Sequence, residues 1–479
     1  MKMKIRSESF SLMVLFLINI VMWLVFDSKR IDHTVMILLD AWIIVCYIIM
    51  LKCVQSSCGG VNFIAVWLIL TLPFYFGQHL FYYYNSDIGY LDNVRSIFNG
   101  IFPDSTIMRS TFFSLTCMLV LCFAAIESYN YSQKKNKKIF TSINSIENYE
   151  SNELFYIRIV GGALFAISLI PTMYYWIYAG FIGQTYGYTE MKSINLNAGR
   201  TSSVFIASFI SGWFLPSAYM LLISAKSKYT RFMVTLSLAI FAFLIFRAGS
   251  RYKAIEIVVA YILIDRYWIN REKKVEYKKY AFIIAVVFIT STIVRLNRGS
   301  ASSSRIDFLL VLSSILGDTG STSMINCAAI EFIPSTLDYG YGISFLYGIF
   351  AVFPAAIRAI LFPKLQTDIT GNALTKLSGV TWSSFGSSII AEGYYNFGIF
   401  SLLLMAIYGV LLGKIVYIQK NKIGVLSACK FIFYVYFCSE FVFAIRSEFS
   451  SSFRSIILYV LLPIAIIQIF KSNKHLRQQ

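Results

Sequence analysis

The sequence predicts an all-α polytopic membrane protein, because its composition is strongly apolar and long apolar runs recur along it. Of its 479 residues, 57% are hydrophobic and 14% are charged, and the mean hydropathy is +0.66. A soluble domain needs more polar surface than this composition supplies. Helices are favoured because the runs approach the roughly 17 to 25 apolar residues that one helix needs to cross a bilayer.

About twelve runs are predicted to be transmembrane helices. The first follows Lys2, Lys4 and Arg6 and lacks a small-residue cleavage site, so it is expected to be a retained span and not a signal peptide. The predicted spans lie near residues 10–26, 34–51, 61–81, 107–126, 155–178, 202–224, 232–247, 254–268, 280–294, 398–418, 425–444 and 455–470.

Lysine-rich loops set the predicted orientation of these spans. They lie at 134–138, 226–231, 271–279, 420–422 and 471–474. Span parity puts all of them on one side, and short loops rich in lysine and arginine favour the cytoplasm. Both termini are therefore predicted to be cytoplasmic, with Ser142 on the cytoplasmic side and Thr367 on the periplasmic side.

The segment between the ninth and tenth predicted spans is long enough to form a structure of its own. The chain is accordingly divided into nine spans with short loops at 1–294, a long periplasmic loop with interfacial helices at 295–397, and three spans with a cytoplasmic tail at 398–479. Residues 343–362 are apolar enough to cross, but Pro354, Arg358 and Pro363 favour an interfacial or re-entrant helix. If this stretch and residues 306–317 both crossed, the count would rise to fourteen with the orientation unchanged.

Several kinds of catalysis lack their motifs in this sequence. It has no G-x-x-x-x-G-K-[ST] loop, H-E-x-x-H pair or C-x-x-C cluster, so ATP hydrolysis and zinc hydrolysis have no residues to perform them. Its three histidines are scattered and no G-x-S-x-G elbow occurs, which disfavours a histidine-based triad. No metal and no cofactor are therefore predicted, and the energy for any reaction is expected to come with the substrate.

The net charge of +18 divides unevenly between the two predicted faces. Lysine dominates the cytoplasmic loops, whereas the opposite loops carry arginine. One interpretation is that each arginine anchors a helix end at the lipid head groups. The other is that the set binds a shared anionic ligand, since a guanidinium fork suits bidentate phosphate binding better than an ammonium group. The predicted diphosphate-binding residues are Arg247, Arg251, Arg295, Arg298, Arg358 and Arg446.

Glu392 is the only ionised residue between Trp382 and Gly398, where the long loop re-enters the membrane. A carboxylate among aromatic residues at a membrane boundary is unfavourable unless it is paired or has a chemical task. Two hypotheses stay open at this point. Glu392 is either a general base or the partner of an arginine.

The chain resembles the oligosaccharide repeat-unit polymerases, the Wzy-type O-antigen polymerases of Gram-negative bacteria. Where that family often has an Arg-Gly-Asp-like run after the penultimate span, this chain has Arg446-Ser-Glu448. With the span layout, the resemblance covers most of the chain. The other matching pieces are Gly249-Ser-Arg-Tyr-Lys253, Tyr341-Gly-Ile-Ser-Phe345 through Phe353-Pro354, Phe362-Pro-Lys364, and Gly386 through Glu392 to Asn396-Phe-Gly398.

The resemblance implies a membrane glycosyltransferase at the periplasmic face of the bacterial inner membrane. Its substrates would be undecaprenyl-diphosphate-linked oligosaccharides, with the growing glycan transferred en bloc to the non-reducing end of an incoming unit. A carboxylate, here Glu392, would take the acceptor proton while arginines stabilise the leaving diphosphate. The residues expected to bind sugar through aromatic faces and hydroxyl groups are Tyr339, Tyr341, Trp382, Tyr394 and Tyr395.

Expected partners are membrane lipid, a Wzz-type chain-length regulator and a Wzx-type flippase, with no nucleic acid. Two other functions share some of these features. An O-antigen ligase would have the same outer loop and arginines but would deliver the glycan to a lipid A core. A lipid-linked oligosaccharide flippase would place charged residues inside its spans. In this sequence Asp40 is the clearest charge within a predicted span.

Overall fold

A computed structural model describes most of the chain. The described residues are 7–27, 30–60, 62–81, 97, 101–136, 147–185, 203–248, 250–270, 282, 286, 316–317, 319–353, 360, 371–379, 386–421 and 427–478. Every regular element in these residues is helical. The chain is therefore a polytopic helical protein, as its composition predicts.

The helices are numbered here in chain order. They are α1 Ser7–Phe26, α2 His33–Cys58, α3 Phe63–Phe81, α4 Asp104–Asn136, α5 Glu147–Thr185, α6 Ser203–Ser211, α7 Phe214–Ser224, α8 Lys228–Ala248, α9 Arg251–Ile264, α10 Thr322–Phe332, α11 Ile343–Phe350, α12 Gly371–Leu377, α13 Ile389–Phe397, α14 Ser401–Asn421, α15 Ala428–Phe443, α16 Phe449–Ser455 and α17 Leu462–Gln478. Short π-helical turns follow α9 and α16, and a 3₁₀ turn joins α13 to α14.

Nine helical segments among the described residues are long and apolar enough to cross a membrane. They coincide with nine of the predicted spans. Two further predicted spans, 254–268 and 425–444, are also helical, but α9 carries several charges and α15 has only 16 residues. The predicted span 280–294 lies outside the described residues apart from two positions. The number of spans and their orientation stay predictions.

The tenth predicted span begins earlier than the sequence suggests. Its helix starts at Ile389 and continues through the 3₁₀ turn at Gly398–Phe400 into α14, giving a candidate span over Ile389–Gln419. Gly398 has a φ of +55°, which interrupts the regular helix without ending the segment. Glu392 therefore lies inside a helix that precedes the long apolar run.

The chain divides into two compact units, each built from separate stretches of sequence. The first unit contains α1–α4, α10–α14 and the turn at residues 444–450. The second unit contains α5–α9, α15, most of α16, and α17. The long loop that follows the ninth predicted span contributes α10–α13 to the first unit.

In the first unit, α4 and α14 pack closely through small residues. A Cβ atom at Gly409 would overlap the carbonyl oxygen of Leu121, and one at Gly413 would overlap that of Ala125. The hydroxyl of Ser128 donates to the carbonyl of Val410 at 2.8 Å. Glycines four residues apart let two helix backbones approach in this way, and such packing replaces the hydrophobic effect that is missing between helices in lipid.

Buried amide hydrogen bonds join α1 to two neighbouring helices of the first unit. Asn19 Nδ2 donates to Thr116 Oγ1 at 2.9 Å and to the Phe112 carbonyl at 3.1 Å. Its Oδ1 accepts from Trp42 Nε1 at 2.9 Å. Because the amide is buried, these three bonds remove a large desolvation penalty and fix the register of α1 against α2 and α4.

A second set of contacts joins the end of α1 to the beginning of α4. Arg109 donates from Nε and Nη2 to the two carboxylate oxygens of Asp27, at 2.7 and 3.0 Å. Asp104 accepts the backbone N–H of Ile31 at 2.9 Å. The Arg109 guanidinium holds the pKa of the Asp27 carboxyl below its ordinary value, so the pair stays ionised through the mildly acidic range.

In the second unit, α5 packs against α6, α7, α8 and α17. Arg158 on α5 donates from Nε and Nη2 to the Ser224 carbonyl at the end of α7, at 3.0 and 2.6 Å. Glu153, also on α5, accepts the backbone N–H of Cys429 at 3.1 Å. These contacts satisfy backbone groups at two helix ends, where the helix itself provides no partners.

Candidate active site

Glu392 lies in α13, is completely buried and accepts hydrogen bonds from three residues. Ser344 Oγ donates to Oε1 at 2.8 Å, and the backbone N–H of Phe449 donates to Oε2 at 2.6 Å. The backbone N–H of Ser450 lies 3.3 and 3.4 Å from the two oxygens. These donors satisfy a carboxylate whose burial would otherwise be strongly unfavourable. Glu392 thus joins α13 to α11 and to the first residues of α16.

One helical turn further along, Asn396 extends this network. Its Nδ2 donates to Ser344 Oγ at 2.7 Å and to the Glu392 carbonyl at 2.8 Å, and its Oδ1 accepts the backbone N–H of Gly342 at 2.9 Å. The backbone N–H of Tyr341 donates to the Asn396 carbonyl at 3.0 Å. The segment 339–344 is therefore held to α13 by both side-chain and backbone bonds.

The start of α13 also contacts the turn at residues 444–450. Ile389 donates its backbone N–H to the Ala444 carbonyl at 3.0 Å. Gly386 has a φ of +81°, and a Cβ at this position would come within 3.3 Å of the Arg446 carbonyl. Together with the hydrogen bonds that Phe449 and Ser450 donate to Glu392, these contacts fix both ends of the turn, so the backbone that carries Arg446 has a defined position. The Arg446 side chain is partly exposed.

The predicted sugar-binding tyrosines of the first unit differ in accessibility. Tyr341 is 80% exposed and has a φ of +47°, a conformation that non-glycine residues seldom adopt outside special sites. Its ring lies edge-on to Tyr339, with centroids 6.3 Å apart. Tyr394 is partly buried and packs edge-on against Phe113 at 5.2 Å. Tyr395 is buried, so it presents little surface to a ligand.

Of the predicted phosphate-binding arginines, Arg247 and Arg251 belong to the second unit. Arg247 lies exposed in the last turn of α8, and Arg251 is the first residue of α9. The turn between the two helices, including Ser250, brings both arginine positions to the same helix junction. The predicted residues Arg295, Arg298, Arg358 and Trp382 lie outside the described residues.

The first unit therefore brings together Glu392, Arg446 and four tyrosines, among the predicted site residues. Ser344 and Asn396 were not predicted as their partners. Asn396 lies four residues after Glu392, so helical spacing would have indicated a shared face. Ser344 is separated by 48 residues and gives no local signal.

The second unit contains a buried polar cluster that sequence reasoning also missed. Glu256 on α9 and Glu440 on α15 are 1% and 4% exposed. Ser439 Oγ donates to Glu256 Oε1 at 3.3 Å, and Lys253 lies one helical turn before Glu256. The apolar runs around these acids concealed them. Asp40 on α2 is one of six buried acids in helical elements of the described residues, the others being Glu153, Glu256, Asp265, Glu392 and Glu440.

This fold and site define a class of protein. It is a multi-pass helical membrane protein with a buried, hydrogen-bonded carboxylate at the junction of several helices. The model of the O-antigen polysaccharide polymerase Wzy family matches residues 8–475, which is nearly the whole chain. The chain therefore belongs to this family, whose members polymerise lipid-linked oligosaccharide repeat units. No curated protein matches the chain, and no solved structure does.

Proposed function

We propose that the protein joins undecaprenyl-diphosphate-linked O-antigen repeat units at the periplasmic face of the bacterial inner membrane. The growing glycan is transferred en bloc to the non-reducing end of an incoming lipid-linked unit. The bond between the donor sugar and its diphosphate breaks, and an acceptor hydroxyl oxygen forms the new glycosidic bond. The acceptor loses a proton and undecaprenyl diphosphate leaves. Because the donor carries its own leaving group, the reaction needs neither a nucleotide nor a resident metal.

One observation supports assigning this function to particular residues. The turn that contains Arg446 is hydrogen-bonded to Glu392. A leaving diphosphate is stabilised by donors that are already in position when its charge develops. An arginine on a turn whose backbone is bonded at both ends meets this requirement better than one on an unconstrained loop. Arg446 is therefore proposed to bind diphosphate, with its fork making two hydrogen bonds to the anion.

Glu392 is proposed to act mainly as a positioning residue. Both of its oxygens already accept hydrogen bonds, and its side chain is completely buried. A general base has to reach the acceptor hydroxyl directly or through one water molecule. The contacts seen here instead support the role in which the carboxylate orients an arginine, through the backbone of residues 444–450. The assignment of Glu392 as a base stays a prediction.

The proposed roles of the remaining residues follow the same logic within each unit. In the second unit, Arg247 and Arg251 are proposed phosphate ligands at the α8–α9 junction. In the first unit, the exposed ring of Tyr341 and the neighbouring Tyr339 are proposed to contact sugar, because aromatic faces pack against the C–H faces of carbohydrates. A Wzz-type regulator and a Wzx-type flippase are proposed partners.

The buried acids Glu256 and Glu440 are the kind of intramembrane charge that a flippase would carry. The family match spans nearly the whole chain and supports the polymerase instead. A ligase would differ from a polymerase in its acceptor, a lipid A core. Loss of a polymerase leaves a different lipopolysaccharide from loss of a ligase or a flippase, so one genetic experiment separates the polymerase from the other two.

Deletion of the gene is expected to leave lipopolysaccharide with a core and a single repeat unit, because ligation continues while polymerisation stops. The measurement is gel electrophoresis of lipopolysaccharide from the deletion strain and from the same strain carrying the gene on a plasmid. A core without any repeat would indicate a ligase or a flippase. A full ladder in the deletion strain would contradict the proposed function.

A further inference from the structure

Five residues of the first unit form an exposed surface that combines an ion pair with aromatic rings. They are Asp27, Arg109, Tyr339, Tyr341 and Tyr394, called here the Asp27–Arg109 surface. Arg109 lies one helical turn before Phe113, whose ring packs edge-on against Tyr394 at 5.2 Å. Tyr339 and Tyr394 also pack against one small hydrophobic cluster, together with Ile31 from the loop after Asp27. Segments distant in sequence thus converge here.

The ion pair presents hydrogen-bond donors and acceptors side by side. Arg109 and Asp27 are 50% and 33% exposed. An arginine has five N–H groups, and the bidentate contact uses two of those on Arg109, leaving three for a ligand. Each Asp27 oxygen accepts one of these bonds, and the carboxylate also accepts a hydrogen bond from the Trp23 side chain, which leaves one lone pair for a ligand. Adjacent fixed donors and acceptors of this kind suit neighbouring hydroxyl groups, each of which both donates and accepts.

The charge around this surface argues against an anionic ligand. In the sequence, segments 27–33, 101–109 and 331–343 contain five acids and three basic residues. The acids are Asp27, Asp32, Asp104, Glu331 and Asp338, and the basic residues are Lys29, Arg30 and Arg109. In a chain with a net charge of +18, this local excess of acids is unusual. It disfavours a phosphate or an anionic lipid head group and favours a neutral hydroxylated ligand.

We propose that the Asp27–Arg109 surface is a glycan-binding subsite in which the ion pair holds sugar hydroxyls and the tyrosines cover sugar faces. This inference rests on the proposed function, because it adds Asp27 and Arg109 to the residues that hold the repeat-unit sugars. The bidentate pair fixes the orientation of the guanidinium plane, so the subsite selects sugars by the spacing of their hydroxyl groups. Tyr341, at 80% exposure, supplies most of the aromatic area.

The test is binding of the strain's own O-polysaccharide, freed from lipid by mild acid, to the purified full-length protein in detergent. Asp27→Asn and Arg109→Lys are each expected to raise the Kd about tenfold, the effect of losing one hydrogen bond to a charged group. Lys134→Ala is the matched control, because it removes an exposed charge at the other end of α4 and is expected to bind like wild type. Calorimetric titration measures the Kd.

Exchanging the two charges distinguishes an ion pair that binds the glycan from one that is purely structural. Asp27→Arg combined with Arg109→Asp restores a pair but turns the donors and acceptors around, so binding is expected to stay weak. Wild-type affinity in the exchanged protein, or in both single variants, would overturn the proposal. If the charge variants do not fold, Tyr341→Ala decides, since its exposed ring makes few structural contacts. An unchanged Kd for that variant also overturns the proposal.

Polymerisation by the same wild-type preparation separates this inference from the proposed function. Suppose that the wild-type protein polymerises lipid-linked units and the variants bind polysaccharide as tightly as wild type. This result would contradict the subsite and leave the proposed function standing. If the wild-type protein neither polymerises lipid-linked units nor binds polysaccharide, both the proposed function and the subsite are contradicted.

Discussion

Glu392→Ala is expected to abolish O-antigen polymer, whereas Glu392→Gln is expected to retain a reduced amount. Alanine leaves the backbone N–H groups of Phe449 and Ser450 without their buried acceptor, and each such loss costs about 1–3 kcal/mol. The turn that carries Arg446 then loses its fixed position. A displacement of about 1 Å at a positioning group lowers a rate on the order of a hundredfold. Lipopolysaccharide ladders from complemented deletion strains measure the effect.

Glutamine is expected to be milder because its amide can keep two of the contacts. Its oxygen accepts from Phe449, and its amino group donates to Ser344 Oγ. We expect polymer to fall about tenfold, consistent with the loss of one charge-assisted bond. Asp40→Asn is the matched control, since it removes the charge of another buried carboxylate of the same unit, on α2. It is expected to leave the ladder unchanged.

These variants also separate positioning from proton transfer. A general base gives a rate that rises with pH through its pKa, and this limb disappears in the glutamine variant. If Glu392 is a positioning residue, the wild-type protein and the glutamine variant show the same dependence of rate on pH, with a lower rate in the variant. A full-length ladder from Glu392→Ala would exclude both roles. The base would then be sought among Asp338, which is exposed beside Tyr339, and Asp318 and Asp368, which lie outside the described residues.

Lysine in place of Arg446 or Arg251 is expected to reduce polymer on the order of tenfold to a hundredfold while the protein reaches the membrane normally. Lysine keeps the charge but cannot make the two parallel hydrogen bonds of a guanidinium fork to a diphosphate. The measurement is ladder length and amount at matched membrane levels of each variant, determined by immunoblot.

Arg30→Lys is a suitable control for this comparison, because Arg30 is an exposed loop arginine of the first unit. It is expected to give a wild-type ladder. Normal ladders from both Arg446→Ala and Arg446→Lys would remove Arg446 from the site. The same result for Arg251 would remove that residue and leave helix anchoring as its role.

Much of the fold could be predicted from the sequence because apolar run length is a strong signal in lipid. The runs that became α1 to α5 are long and apolar enough to cross a membrane. The close packing of Gly409 and Gly413 against α4 was not predicted, because the spacing of two glycines does not identify the helix that packs against them. The tenth predicted span begins nine residues after the first residue of α13. The difference arises because Gly386 to Phe397 is mixed in polarity, and a buried hydrogen-bonded helix need not be uniformly apolar.

The sequence predicted the carboxylate of the candidate site but not the groups that contact it. Glu392 stood out because it is a lone acid among aromatic residues. Its donors come from Ser344 and from the backbone of Phe449 and Ser450, and backbone donors carry no sequence signal. The ion pair of Asp27 and Arg109 joins residues 82 positions apart, so neither local spacing nor periodicity could reveal it. Long-range polar pairing depends on tertiary packing.

The most direct test of the central claim is polymerisation by the purified protein in liposomes that contain lipid-linked repeat units as the only substrate. The proposed function predicts lipid-linked products of two and more units, with one undecaprenyl diphosphate released for each new glycosidic bond. Mass spectrometry of the products and quantification of the released lipid measure both. Products are expected without added nucleotide and in the presence of a metal chelator. An absence of longer products, or their appearance only with a nucleotide sugar, would contradict the claim.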